Sequence, residues 1–394
     1  MTCQEQLEAA GYGIDGAFGT NGTSVITKNI TLNNFTNNKK YISLKGLSFS
    51  QCKYTTKPTV TLTQSSPSMS GVGIDNLNVS GSGSIVLNGT ATVKDVDFNF
   101  SYLDISDTNN AMTRITFEGN VNLPGSKLTV YPNGRLTVMN NFYAYNGIEI
   151  RGSVYLAYPA TFKTPRDITL NQNATLSSEF SGVNSRGTVT AANLYSDGYI
   201  DFYRKNVTIS GDTIINKSLD TAFCQRRSRP GDCLLGLSDA SFTTKNLRLE
   251  KGAKFEPNSS TVKVSQYFTI YTVGTDFTAT GSTISAKEAF IACEPGDVNK
   301  KYYSAVARLD KNSTWNFSNG DVLHMGRGES VICFRNGSKL YSPKWVKNAS
   351  STTDFDGARV EGADDYKNIS YEKNGSGSSK LNYKNRGACS SYGT

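Results

Sequence analysis

Apolar and polar residues alternate in short bursts along this chain, and the bursts recur. In "SKLTVYPNGRLTV" the unit Leu-Thr-Val stands at Leu128–Val130 and again at Leu136–Val138, around Tyr-Pro-Asn-Gly. Within each unit Leu and Val point one way and Thr the other, the two-residue period of a strand. Asn133-Gly134 between them is a hairpin turn signal, so the segment taken alone reads as a hairpin. The wider pattern argues otherwise. Steps of about twenty residues, a period typical of repeat architectures, lead from Leu128 to Ile148 and Ile168. The same steps lead from Val130 to Ile150 and Leu170, and from Leu136 to Leu156 and Leu176. "SGSIVLNGT", "TRITFEGN", "RDITLNQN", "KNVTISGD" and "KNLRLEKG" share one form: a polar lead-in, a short alternating strand, then Asn or Gly.

A fixed period without helices is the mark of a parallel β-solenoid, in which each strand pairs with its equivalent in the next coil about 4.8 Å away. Like residues then lie on like, and Asn and Gly take the corners because they tolerate positive φ. The two Leu-Thr-Val units become neighbouring strands of one coil with a corner between them. An antiparallel sandwich or barrel, the alternative, needs no constant period. The rhythm spans residues 21–345. Residues 1–20 hold the one helical patch, "CQEQLEAAGYGIDGAF", and read as an N-terminal cap over the first coil's open edge. Residues 346–394 lose the rhythm and gain Gly, Ser and charge, as in a C-terminal cap or a loosely ordered tail. The expected fold class is therefore all-β, a parallel β-helix with an N-terminal cap.

Composition narrows the function. Only 19% of the 394 residues are charged, and Asn, Ser, Thr and Gly supply an uncharged polar surface. The net charge of +8 suits acidic partners. The basic residues are scattered, however, and no nucleic-acid-binding signature occurs, so nucleic acid is not an expected partner. No apolar run reaches the roughly 18 residues of a membrane span. The start shows no basic and apolar leader, so Met1 reads as added ahead of an exported sequence.

The seven cysteines are Cys3, Cys52, Cys224, Cys233, Cys293, Cys333 and Cys389. None forms C-x-x-C, and His324 is the single histidine, so a Cys/His metal site is not expected. In "CQRRSRPGDC", Cys224 and Cys233 read as a disulfide that closes a loop carrying Arg226, Arg227 and Arg229, which implies an oxidising compartment. Cys3–Cys52 and Cys293–Cys333 follow by order alone, and Cys389 is left over. Reduced, buried cysteines are the alternative.

The segments "GSKLTVYPNGRLTVMNN", "GIEIRGSVYL" and "GSGSIVLNGTATV" give the chain its resemblance to the passenger domains of bacterial autotransporters and two-partner secreted exoproteins. The likeness is architectural and covers residues 60–340. It implies a right-handed coil and a secreted or cell-surface, outer-membrane-associated protein of adhesion and virulence. The chain carries more cysteines than such passengers usually do.

Other candidate chemistry thins out on inspection. "GYGIDG" (Gly11–Gly16) matches G-x-G-x-x-G, but a helix precedes it where the dinucleotide fingerprint needs a strand. His324 lacks a nucleophile elbow. Asp354, Asp356, Glu361, Asp364 and Asp365 form an acidic cluster. Pectin-degrading β-helices pair such carboxylates with Gly-His-Gly and Arg-x-Lys segments, and neither occurs here. The cluster reads as a solvated patch. Asn-x-Ser/Thr triplets recur, as chance provides in so Asn-rich a chain. Two features suit binding. The arginines of the Cys224–Cys233 loop offer planar donor forks for carboxylates and sulfates. Tyr143, Tyr145, Tyr199 and Tyr203, in "NNFYAYNG" and "SDGYIDFYRKN", can stack on sugar faces. The expectation is a non-catalytic, cofactor-free adhesin for a host or bacterial surface glycan or matrix protein. A structural, self-associating or toxin-like passenger is the alternative, and a polysaccharide-cleaving enzyme comes after it.

Overall fold

The computed structural model describes residues 2–33, 42–46, 57–106, 112–157, 159–178, 186–216, 234–250, 252–271, 275–291, 295, 305–316, 323–325, 330–334, 338–341, 347–348 and 358–362. About 65% of it is strand, with one helix, and the strands stack in parallel as a β-solenoid. It divides into two units, Met1–Ala191 and Ala192–Thr394.

In the first unit each coil supplies three short strands, and each strand joins one of three ladders. The first ladder includes Thr90–Asn99, Thr113–Leu123, Gly134–Val138, Ser153–Leu156 and Thr175–Ser178. The second takes the far ends of the two long strands, then Asn141–Ala144, Thr161–Lys163 and Gly187–Ala191. The third runs through Ser84–Asn88, Tyr102–Ile105, Lys127–Val130, Ile148–Ile150 and Ile168–Leu170. Lys127–Val130 and Gly134–Val138 thus belong to different ladders. They do not pair with each other, and the hairpin reading of their turn falls to the solenoid reading.

The stacking is residue on residue. Leu128 pairs with Ile148 and Ile148 with Ile168, while Val130 pairs with Ile150 and Ile150 with Leu170. One expected column is corrected. Leu136 pairs with Val154 and Val154 with Leu176, whereas Leu156 lies under Val138 in the next inward column. The step from Leu136 to Val154 is two residues short of twenty and the step to Leu176 is two residues over, so the mean period hides the slip. Because the slip is an even number, Leu156 still faces inward.

Corners are made by stacked residues of positive φ. Asn76, Asp95 and Gly119 take φ of 53°, 52° and 64° where the first ladder turns into the second. Gly119 is obligatory there, since a Cβ would lie 2.3 Å from the Asp95 Oδ1 that accepts the Asn120 N–H. Inside, Phe142 stacks between Phe117 and Phe162 at centroid distances of 5.4 and 5.3 Å.

The second unit repeats the plan. One ladder joins Tyr199–Tyr203, Leu234–Ser238, Lys254–Asn258, Thr275–Thr280, Ala305–Asp310, Ser330–Phe334 and Ala358–Gly362. Phe255 stacks on Phe277 at 5.5 Å, beside Phe268 and Trp315, all of them buried. Buried serines staple one corner of successive coils. The Ser260, Ser282 and Ser313 hydroxyls accept the N–H of Ala240, Ser260 and Ser282 respectively. Arg204, Asp239, Ser259 and Lys311 hold φ between 47° and 49° at corners, so the positive-φ role extends well past Asn and Gly.

At the N-terminus the helix Cys3–Ala9 forms with a capping box. The Thr2 hydroxyl accepts the Glu5 N–H, and the Glu5 carboxylate accepts the Thr2 N–H at 2.7 Å. Leu7 packs on Val25 with Cys3, Tyr12 and Ile14 around it. "GYGIDG" forms a turn and a two-residue strand, Gly13–Ile14, paired with Thr23–Ile26.

Candidate functional site

The outer face of the third ladder in the first unit carries a network of charged and polar side chains. Strand alternation points Leu103, Leu128, Ile148 and Ile168 inward and sets Asp104, Thr129, Glu149 and Thr169 in one row on the opposite face, where Thr129 is itself buried among its neighbours. Tyr102 and Lys127 are paired neighbours at the start of their strands. The sheet thus fixes spacing along the row at about 4.8 Å per coil.

Glu149 is the hub. Its Oε2 lies 2.7 Å from Lys127 Nζ and its Oε1 lies 2.6 Å from Arg151 Nε. The Arg151 guanidinium sits over the Tyr131 ring, 5.4 Å from its centroid. Burial pushes the Glu149 carboxyl up, but hydrogen bonds from Lys127 and Arg151 outweigh it and hold the group below its ordinary range. Asp104 goes the other way. Its burial dominates and raises it, against a hydrogen bond from Thr129 and the pull of Arg151.

Beside this network, where the second ladder turns into the third, a groove of about 620 Å³ opens to solvent. Its lining includes Tyr102, Gly125, Lys127, Asn146, Arg166 and Asp167, drawn from four successive coils. The ring of Tyr102 is half exposed, at 50%. The corner is braced from below. Buried Ser126 donates from Oγ to the Phe100 carbonyl at 2.5 Å and accepts the Phe100 N–H at 3.3 Å. The Asn146 amide donates to the Gly125 carbonyl at 2.5 Å. Gly125 opens the floor, since a Cβ built there meets nothing within 4 Å. Such a site combines a flat aromatic face, hydroxyl, amide, carboxylate and cationic groups, and a rigid base. Such groups can stack against a flat ring and direct hydrogen bonds to its polar substituents.

Comparison with known proteins finds no matching family model, no matching curated protein and no matching solved structure. The chemistry of the groove therefore stands on its own residues.

The residues singled out from the sequence fall in different places. Tyr143 is half-buried and faces outward on the second ladder, paired with Asn122 and Lys163. Tyr145 is 45% exposed and directly precedes Asn146 of the groove. In the second unit, Tyr199 and Tyr203 share one face of a strand. The Tyr199 hydroxyl donates to Asp201 at 3.1 Å. Tyr203 lies under the Arg204 guanidinium, which itself reaches Asp239 at 2.7 Å. Both rings are thus engaged within the chain. Cys3 is disulfide-bonded, with its partner outside the described residues. Arg226, Arg227, Arg229, Cys52, Cys224, Cys233, Cys293, Cys389 and the Asp354–Asp365 cluster, apart from the backbone of Glu361, also lie outside them. Cys333 and His324 are described only as backbone in their strands. No group of three metal-ligating side chains occurs among the described residues, and none of their helices is long and apolar enough to cross a membrane.

Sequence reasoning missed Tyr102, Lys127 and Arg166. Each sits in an ordinary polar lead-in, and only the one-coil spacing brings them together. The signal was present in "PGSK" and "YNGI", where glycines stand about one period apart just before a strand.

Proposed function

We propose that this protein is an exported, non-catalytic surface β-solenoid that binds a glycan in the Tyr102–Arg166 groove and acts in adhesion. The single observation that carries the reading is the braced, glycine-floored groove in which a half-exposed tyrosine ring lies beside amide, carboxylate and cationic groups. The disulfide at Cys3 supports an oxidising compartment and hence export. Catalysis draws no comparable support, because both oxygens of Glu149 are held in ion pairs and neither Glu149 nor Asp104 lines the groove. Affinity would grow by repeated weak contacts when many copies face one surface.

Gly125→Trp tests this without disturbing the fold. The backbone there is free of the strained positive-φ region and the space above it is open. The indole should fill the groove, lower glycan-array binding at least about tenfold, and leave thermal unfolding unchanged, as expected for a surface substitution. Undiminished binding by a folded Gly125→Trp variant would overturn the assignment.

A further inference from the structure

We propose that the groove selects a sugar bearing a carboxylate or sulfate, and that Arg166 is the residue that reads this charge. The inference rests on the glycan reading and adds the class of sugar.

Three observations carry it. First, the cations around the groove differ in their commitments. Lys127 and Arg151 are both held by Glu149, at 2.7 and 2.6 Å. Arg166 is exposed at the rim and forms no ion pair among the described residues. A guanidinium that is already near an anion gains little from a second one, whereas an uncommitted guanidinium gains the full charge-assisted pair. Second, the backbone that carries Arg166 is fixed. Its N–H donates to the Thr164 hydroxyl at 3.1 Å, Pro165 restricts the turn, and the Ile148 N–H bonds the carbonyl of Asp167 at 3.0 Å. Arg166 therefore projects from a fixed stretch of backbone, and its planar, two-pronged donor edge fits a carboxylate or sulfate better than a hydroxyl. Third, the ionic lining is Lys127 and Arg166 against Asp167. With Lys127 already neutralised by Glu149, the charge left to favour an anionic ring over a neutral one is that of Arg166.

Gly147 makes room for such a group beside Arg166. Its φ is +101°, and a Cβ there would lie 3.2 Å from the Asp167 carbonyl and 3.6 Å from the Arg166 Cβ. A side chain at this position would crowd the base of the arginine. The ring of Tyr102 then supports the sugar face while its acidic substituent reaches Arg166.

Calorimetric titration with three oligosaccharides of equal length tests this. The first is a mannuronic acid oligomer. The second is the same oligomer with its carboxyls reduced to neutral hydroxymethyl groups. The third is the neutral oligomer carrying sulfate esters. The wild-type protein should bind at least one anionic form about tenfold more tightly than the neutral form, with a preference that shrinks as salt is raised. Arg166→Gln should bring anionic binding down towards the level of the neutral form, and Arg166→Lys should restore part of the difference. A preference for only one anionic form identifies the group that is read. Equal binding of neutral and anionic forms, or a preference that survives Arg166→Gln, overturns the inference and leaves the glycan reading standing. A polyaspartate peptide that binds as tightly as the acidic sugar also overturns it. If none of the three oligosaccharides binds, the glycan reading fails and this inference with it.

Discussion

Phe142→Ala should cost the first unit about 3–5 kcal/mol. Phe142 is 1% exposed and lies between Phe117 and Phe162, with interplanar angles of 30° and 27°. Removing the ring forfeits the burial of one aromatic side chain, opens a cavity between two coils, and breaks two stacked pairs at once. The neighbouring coils cannot close over the gap, because strand pairing holds them about 4.8 Å apart. Denaturant unfolding followed by tyrosine and tryptophan fluorescence would measure it. Tyr143→Ala, one residue along and facing outward, should shift the midpoint by less than about 0.5 kcal/mol. Equal losses at the two positions would mean that the strand does not present Phe142 to the interior.

The second large effect is a dependence on pH. Lys205 begins the strand Lys205–Ile209, whose burial alternates, and its side chain is fully buried at 0% exposure. Burial disfavours the ammonium and lowers the group from 10.5 to about 8. Between those two values the unfolded chain holds a proton that the folded chain has released. Stability therefore rises as pH increases from about 8 to 10.5, and the penalty is constant below that window. The full span corresponds to roughly 3 kcal/mol. Lys205→Met keeps the length and removes the titrating group, so the variant should lack this rise. The test is the difference between wild type and variant in thermal unfolding across that range, which cancels the titration of surface tyrosines. A difference that stays flat with pH would mean that Lys205 keeps its ordinary proton affinity and is not buried.

The fold was largely legible because solenoid stacking repeats one chemical demand every coil. Leu128, Ile148 and Ile168 occupy one column, and a search at a single period finds them. Leu156 escaped its true column because coils differ by a residue or two, and a mean period cannot register such slips. The corner code was read too narrowly. Asp95, Arg204, Ser259 and Lys311 adopt the same positive φ as Asn76 and Gly119, since the ladder above and below imposes it. Lys205 shows the opposite limit. Its neighbours Tyr203 and Arg204 read as a basic aromatic surface, yet the strand turns Lys205 inward. The groove was invisible for a different reason. Its parts stand on four coils, and none is unusual in its own segment. The sequence drew attention to aromatic clusters, whose outward rings Tyr199 and Tyr203 are engaged with Asp201 and Arg204.

Hydrogen–deuterium exchange of the wild-type protein with and without the mannuronic acid oligomer tests the glycan groove most directly. Protection should appear together in four stretches one coil apart, around Tyr102, Lys127, Ile148 and Arg166, and nowhere else on the described faces of the first unit. Protection confined to the outward row near Tyr143, or no ligand-dependent protection at any of the four, would contradict it.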